Sequence, residues 1–119
     1  MGVTVLTSST EETLREIGIA SGVADQVLRL AKLGVDAEID GIVAGSHEIK
    51  PLRHEFGDKI KIVVPGIRPS GAEANDQKRT MSPRDALDAG ADHLVIGRPI
   101  TAHRNPREAT ERILEDIAG

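Results

Sequence analysis

The sequence contains no cysteine and almost no aromatic residues, with one Phe and neither Trp nor Tyr in 119 residues. Without cysteine there is no disulfide framework, no thiolate metal site and no cysteine nucleophile. The scarcity of aromatics removes the platforms on which nucleic-acid bases stack, and a net charge of −4 argues against a basic binding face. No apolar run approaches the roughly 18 residues of a membrane-spanning helix. We therefore expect one small domain with neither nucleic acid nor a membrane as its partner.

Short apolar stretches rich in β-branched residues alternate along the chain with segments of helical pattern. Buried strands are predicted at residues 3–7, 40–45, 59–64 and 93–97. Helices are predicted at residues 11–17, 22–33, 46–56, 82–90 and 105–118. Strands that alternate with helices predict an α/β fold with a parallel sheet and right-handed crossovers. The chain is short for this class and begins almost directly with a strand.

Capping residues set the predicted helix boundaries. Ser21 and Ser46 are placed as N-caps of the second and third helices, and Gly34 as the stop of the second. Ser82 and Asn105, each followed by proline, open the last two helices. Pro51 lies too deep in the third helix to be tolerated freely, so either the first turn is distorted or the helix begins near Pro51.

In parallel α/β folds ligands bind at the carboxyl ends of the strands, so the residues that follow each strand are the informative ones. They are Thr7 and Ser8, Gly45 and Ser46, residues 65–68, and residues 97–99. Two of these ends combine glycine, arginine and proline, in P-G-I-R-P at 65–69 and G-R-P at 97–99. Glycine lets an anion approach the backbone, and arginine offers a bidentate fork, so the pattern predicts a phosphate site. The alternative is that these residues only form turns and surface ion pairs.

Residues 67–81 form a polar stretch without periodicity, which is long for a connection inside a compact domain. Asn75 or Gln77 could contact a ligand there as part of a closing loop, although composition alone favours a solvated loop tip. Lys78 is expected to be solvated rather than catalytic. The four histidines show no spacing typical of a metal site.

Five stretches resemble, in order, the motifs of one family: V-T-V-L-T-S at 3–8, D-G-I-V-A-G-S at 40–46, V-P-G-I-R-P-S-G at 64–71, N-D-Q-K-R-T-M-S-P at 75–83 and G-A-D-H-L-V-I-G-R-P-I-T at 90–101. The family is that of orotidine 5′-phosphate decarboxylase, and the resemblance runs from residue 3 to the C-terminus. The combination of P-G-I-R-P, D-Q-K-R and V-I-G-R-P-I-T is highly specific.

The resemblance implies a (β/α)₈ barrel of about twice this length, which converts orotidine 5′-monophosphate to UMP and CO₂ without a metal or organic cofactor. Residues 1–119 would be a single C-terminal half-barrel domain of four βα units. The implied substrate-binding residues are Thr7, Ser8, Pro65, Arg68, Gln77, Gly97 and Arg98. Among them, Arg98, the Gly97 amide and Gln77 would bind the phosphate, and Thr7 or Ser8 the pyrimidine. Arg68 would be a further ligand contact, and Pro65 with Ile67 would wall the pocket.

One departure from the family pattern is large. The family's catalytic charges lie in a D-x-K-x-x-D motif of the N-terminal half, together with an Asp from the partner subunit, and this chain has no such motif. We therefore expect no catalytic residue in this chain and no activity without an N-terminal half. The alternative is a non-catalytic half-barrel that self-associates. Expected partners are orotidine 5′-monophosphate or UMP, and a homodimer mate or a complementary N-terminal half-barrel, in the cytoplasm.

Overall fold

Four parallel strands form one sheet in the computed structural model, which describes residues 1–69 and 81–119. The strands are β1 (Gly2–Val3), β2 (Gly41–Val43), β3 (Lys61–Val64) and β4 (His93–Leu94). They lie side by side in the order β1-β2-β3-β4, and every neighbouring pair is parallel. Each βα unit therefore places its strand next to the preceding one, and the predicted parallel sheet is confirmed. The ladders are shorter than the apolar stretches that predicted them, although Thr4 N–H still donates to Val43 O at 3.1 Å beyond β1.

In residues 1–69 and 81–119, six α-helices connect and flank these strands: α1 (Glu11–Glu16), α2 (Val23–Asp36), α3 (Ile49–Phe56), α4 (Pro83–Ala89), α5 (Arg98–Thr101) and α6 (Pro106–Ala118). The predicted caps of the last two long helices are confirmed. The Ser82 side chain accepts from the Asp85 N–H, and the Asn105 side chain accepts from the Glu108 N–H. These bonds satisfy amide groups that a helix start otherwise leaves without acceptors.

The predicted boundaries of α2 were wrong at both ends. Gly22, not Ser21, is the N-cap, and it makes no side-chain cap bond. Gly34 does not end the helix, which continues to Asp36. A Cβ on Gly34 would lie 2.5 Å from Ile39 Cδ1, so this glycine provides room for tertiary packing instead of a chain reversal.

The expected conflict at Pro51 is resolved by a distorted start. Ser46–Glu48 form a turn of 3₁₀ helix, and α3 begins only at Ile49. Pro51 is then the third residue of the α-helix, where its missing N–H costs no intrahelical bond. The N-cap of the 3₁₀ turn is Gly45, so the prediction that Ser46 caps this helix was wrong.

The short helix α5 was not predicted. It begins at Arg98, directly after Gly97, and Pro99 lies in its first turn, a position that suits proline. Four residues are too few to show a helical periodicity in sequence, which is why only the tertiary structure reveals this helix.

The hydrophobic core lies between one face of the sheet and the helices. Ile42, Ile62 and Val64 of the strands are almost fully buried against residues such as Val27 and Leu52 of the helices. The molecule measures 42 × 32 × 19 Å, a slab whose thickness suits one layer of sheet and one of helix.

Candidate functional site

The carboxyl edge of the sheet collects most of the residues that the sequence singled out. Thr7 and Ser8 follow β1, Pro65 and Arg68 follow β3, and the Gly97–Arg98 pair follows β4. Because all four strands are parallel and adjacent, these ends share one edge. Gln77, with Asn75 and Lys78, lies outside the described residues.

Arg68 is the charged residue most deeply buried at this edge after Glu48, with 8% of its surface exposed. Its Nη1 donates to the neighbouring Ile67 carbonyl at 3.3 Å. Its Nε is buried and has no hydrogen-bond acceptor among the described residues. A buried guanidinium is costly without acceptors, so this donor is suited to an anionic or carbonyl group brought by a ligand.

The backbone around Arg68 is fixed on both sides. Arg68 N–H donates to Met81 O at 3.0 Å, and Ile67 forms a parallel bridge with Met81. Ile67 is fully buried and belongs to the hydrophobic core. The guanidinium is therefore carried by a segment whose position is set by the core and not by the ligand.

Thr7 and Ser8 share one turn but differ in environment. Thr7 is 6% exposed, whereas Ser8 is exposed. The turn is closed by a hydrogen bond from Ser9 N–H to Leu6 O at 2.9 Å. Its position is also tied to α1, because Thr10 caps that helix through a reciprocal bond pattern with Thr13. Thr7 is thus the better-held hydroxyl of the two.

Gly97 and Arg98 lie at the exposed end of the site. Both are exposed, and a Cβ added to Gly97 would meet no atom within 4 Å. Arg98 is the first residue of α5, and the Gly97 carbonyl accepts from Thr101 N–H at 3.0 Å. A ligand can therefore reach this backbone and the neighbouring guanidinium from solvent. Pro65, half-buried, follows β3 at the same edge.

Two buried polar residues lie at the end of β2: Ser46, which the sequence analysis placed at a strand end but assigned to capping, and Glu48, which it did not single out. Ser46 is 2% exposed and Glu48 3% exposed. The Ser46 hydroxyl, which was assigned to capping, has no hydrogen-bond partner among the described residues. Its position directly after a buried strand was the available signal, but a serine before a helical pattern is more often a cap.

A carboxyl with a shifted pKa lies at the other edge. Asp92 precedes β4, and partial burial by itself would raise its pKa. Hydrogen bonds from Ile62 N–H and Arg53, with the charges of Arg53 and Lys61, outweigh that effect and hold the pKa of Asp92 below its usual value. This group stabilises the fold and does not face the candidate site.

In the described parts of the chain, no three His, Asp or Glu side chains cluster as a metal site would require. No helix in the same parts is long and apolar enough to cross a bilayer.

Known proteins match this chain over nearly its whole length. The model of the orotidine 5′-phosphate decarboxylase / HUMPS family matches residues 1–113. The orotidine 5′-phosphate decarboxylase of Citrifermentans bemidjiense is 52% identical over 117 residues, and that of Geobacter sulfurreducens 53%. In each case the match covers 98% of this chain and 49% of the relative.

The solved structures agree with the sequence relatives. The crystal structure of orotidine 5′-phosphate decarboxylase from Lactobacillus acidophilus superposes with a TM-score of 0.80 at 35% identity. It covers 98% of this chain and 48% of that protein. The chain therefore spans about half the length of the relatives it matches, and its four βα units are half of their (β/α)₈ barrel. The chain belongs to the orotidine 5′-phosphate decarboxylase / HUMPS family.

Proposed function

We propose that this chain is the substrate-phosphate-binding half of an orotidine 5′-phosphate decarboxylase, which holds orotidine 5′-monophosphate or UMP by its phosphate. The observation that carries the proposal is that adjacent strands end in two guanidinium groups at one edge, of which that of Arg68 is buried with an Nε that has no acceptor among the described residues. Arg98 and the open backbone at Gly97 lie at the same edge, after the neighbouring strand.

Each site residue has a role in this proposal. Arg98 and the Gly97 amide hold the phosphate, joined by Gln77. Thr7, with Ser8 next to it, hydrogen-bonds the pyrimidine, and burial keeps the Thr7 hydroxyl in one place. Arg68 is a further ligand contact, and Pro65 limits the pocket.

The chain by itself supplies binding without the chemistry. Decarboxylation leaves an electron pair on the ring carbon that loses CO₂, and a proton must reach that carbon. None of the strand ends at residues 7–8, 45–46, 65–68 and 97–99 carries a Lys or Asp that could deliver this proton. Electrostatic preorganisation is usually the largest catalytic contribution, so we propose that activity, in the cytoplasm, requires a complementary N-terminal half-barrel that supplies these charges, whereas a homodimer mate would add none.

Titration with UMP tests the phosphate site. We expect Arg98→Ala to weaken UMP binding by about tenfold or more, because a charge-assisted hydrogen bond to phosphate is lost. Arg104→Ala is the matched control, since Arg104 is also exposed and lies only six positions away. Calorimetry with UMP, repeated with inorganic phosphate as a competitor, gives the dissociation constants of UMP and of phosphate for each variant. Equal effects of the two substitutions would refute the assignment.

The absorbance of orotidine 5′-monophosphate tests the missing chemistry. The chain alone should leave the absorbance unchanged, and activity should appear only after a half-barrel that carries the D-x-K-x-x-D motif is added. Turnover by the chain alone would contradict the proposal that its catalytic charges lie elsewhere.

A further inference from the structure

The backbone of Arg68 is held by a second segment of the chain, at Met81. Arg68 N–H donates to Met81 O at 3.0 Å, and Ile67 forms a parallel bridge with the same residue. These contacts lie beyond strand β3, which ends at Val64. The pairing of β3 with its neighbours therefore does not by itself fix the position of Arg68.

A glycine separates Arg68 from that strand. Gly66 has a φ of 73°, in the left-handed region that favours glycine. After this turn the Ile67 side chain is buried in the core, and Arg68 N–H reaches Met81. Because glycine has more backbone freedom than other residues, the contacts that follow the turn decide where Arg68 lies.

The guanidinium of Arg68 has little side-chain support. Among the described residues it makes one hydrogen bond, a donation from Nη1 to Ile67 O at 3.3 Å. Its buried Nε has no acceptor in the same residues. Since no partner side chain there holds the guanidinium, its position follows from that of the Arg68 backbone.

Met81 is followed directly by a capped helix start. The Ser82 hydroxyl accepts from Asp85 N–H at 3.2 Å, and Ser82 O accepts from Ala86 N–H at 3.0 Å. Pro83 and Ala86, in the first turn of α4, are fully buried. With seven residues α4 is too short to be stable alone, so its cap and its packing decide whether this turn forms.

We infer that Ser82 is a positioning residue for the ligand-binding guanidinium of Arg68. The Ser82 hydroxyl fixes the first turn of α4, this turn fixes Met81, and the Met81 carbonyl fixes the Arg68 N–H. The ligand is the phosphorylated nucleotide of the proposed function, on which this inference rests. In this arrangement Ser82 acts on ligand affinity through Arg68, without touching the ligand.

Amide hydrogen exchange tests the backbone link without any ligand. In Ser82→Ala we expect the Arg68 N–H to exchange about fivefold faster than in the wild type, because loss of the cap favours opening of the first turn of α4. Ser82→Thr, which retains a hydroxyl, should restore the wild-type rate. Asn105→Ala is the matched control, since Asn105 caps α6 through a bond of the same length, 3.2 Å, from Glu108 N–H. It should leave the Arg68 rate unchanged.

Binding of UMP tests the effect on the ligand. We expect Ser82→Ala to weaken UMP binding about threefold or more in the wild-type chain and not at all in an Arg68→Ala background, because only Arg68 transmits the effect. Ser82→Thr should bind as the wild type does, and any loss in Asn105→Ala should be the same in both backgrounds. Calorimetry measures the affinities, and circular dichroism verifies that each variant is folded.

Two results would overturn the inference. Equal acceleration of Arg68 N–H exchange in Ser82→Ala and Asn105→Ala would show that Ser82 contributes only to global stability. Equal losses of UMP affinity with and without Arg68 would show that Ser82 does not act through this residue. A wild-type chain that does not bind UMP would refute the proposed function together with the inference. Binding that Arg98→Ala weakens and Ser82→Ala does not would refute the inference alone.

Discussion

Arg53 organises the amino edge of the sheet, opposite the candidate site. Its Nε donates to Gly90 O at 2.8 Å, and its Nη1 donates to Gly57 O and Ile60 O at 2.8 and 2.9 Å. Its Nη2 forms an ion pair with Asp92. One guanidinium thus joins the ends of helices α3 and α4 to the residues that precede β3 and β4.

Asp92 completes this network by accepting from Ile62 N–H at 2.8 Å. We expect Asp92→Asn to lower the free energy of unfolding by about 2 kcal/mol, because the half-buried guanidinium loses its only carboxylate partner among the described residues. Asp88→Asn is the control, since Asp88 pairs with Arg84 on the exposed surface of α4 and should cost less than about 0.5 kcal/mol. Urea unfolding measures both, and equal costs would contradict a structural role specific to Asp92.

The same substitution gives a signature in pH. Because the folded-state pKa of Asp92 is lowered, its stabilisation is fully present above the unfolded-state pKa of about 3.9 and is lost as the pH falls through the folded value. The stability difference between wild type and Asp92→Asn should therefore be constant near neutral pH and shrink below about pH 4. A difference that does not change with pH would show that the network does not depend on the Asp92 charge.

At the scale of elements, helix α2 shows how tertiary contacts override a local stop signal. Gly34 lies inside the helix, and Ile39 from the turn beyond it folds back so that its Cδ1 packs against both Gly34 and Gly2. The Ile39 N–H also donates to Gly34 O at 3.1 Å. The two glycines therefore allow α2 to approach the start of β1.

Gly34→Ala tests this packing. Alanine is favoured over glycine inside a helix by about 1 kcal/mol, yet we expect the substitution to destabilise the protein by about 1 kcal/mol, because the new methyl group would overlap Ile39. In an Ile39→Val background, which removes Cδ1, the same change should be neutral or stabilising. Thermal unfolding of the four proteins of this cycle gives the coupling. A higher midpoint for Gly34→Ala alone would contradict the packing argument.

At the scale of the whole molecule, the described residues form four parallel strands with helices against the face that carries Ile42 and Ile62. Parallel strands are normally buried on both faces, because helices or a second layer cover them. The chain spans about half the length of the relatives it matches, and its four βα units are half of their barrel. Its fold is therefore one half of that larger arrangement.

The sequence by itself determined the class, the order of strands and helices, and the family. Period-2 and period-3.6 patterns are local, and so are the caps at Ser82 and Asn105, which the structure confirms. The motifs that resemble orotidine 5′-phosphate decarboxylases are also contiguous in sequence, and for that reason the expected half-barrel agrees with the comparisons.

Only the tertiary structure decided the features that depend on contacts distant in sequence. The sequence predicts a helix stop at Gly34, but in the structure Ile39 packs against this glycine inside the helix. The sequence predicts a helix cap at Ser46, but in the structure its hydroxyl is buried without a partner among the described residues. The fold also buries Thr7 and Arg68 while it leaves Ser8 exposed. Exposure and packing are set by the whole arrangement of the strands and helices, which a linear sequence pattern does not record.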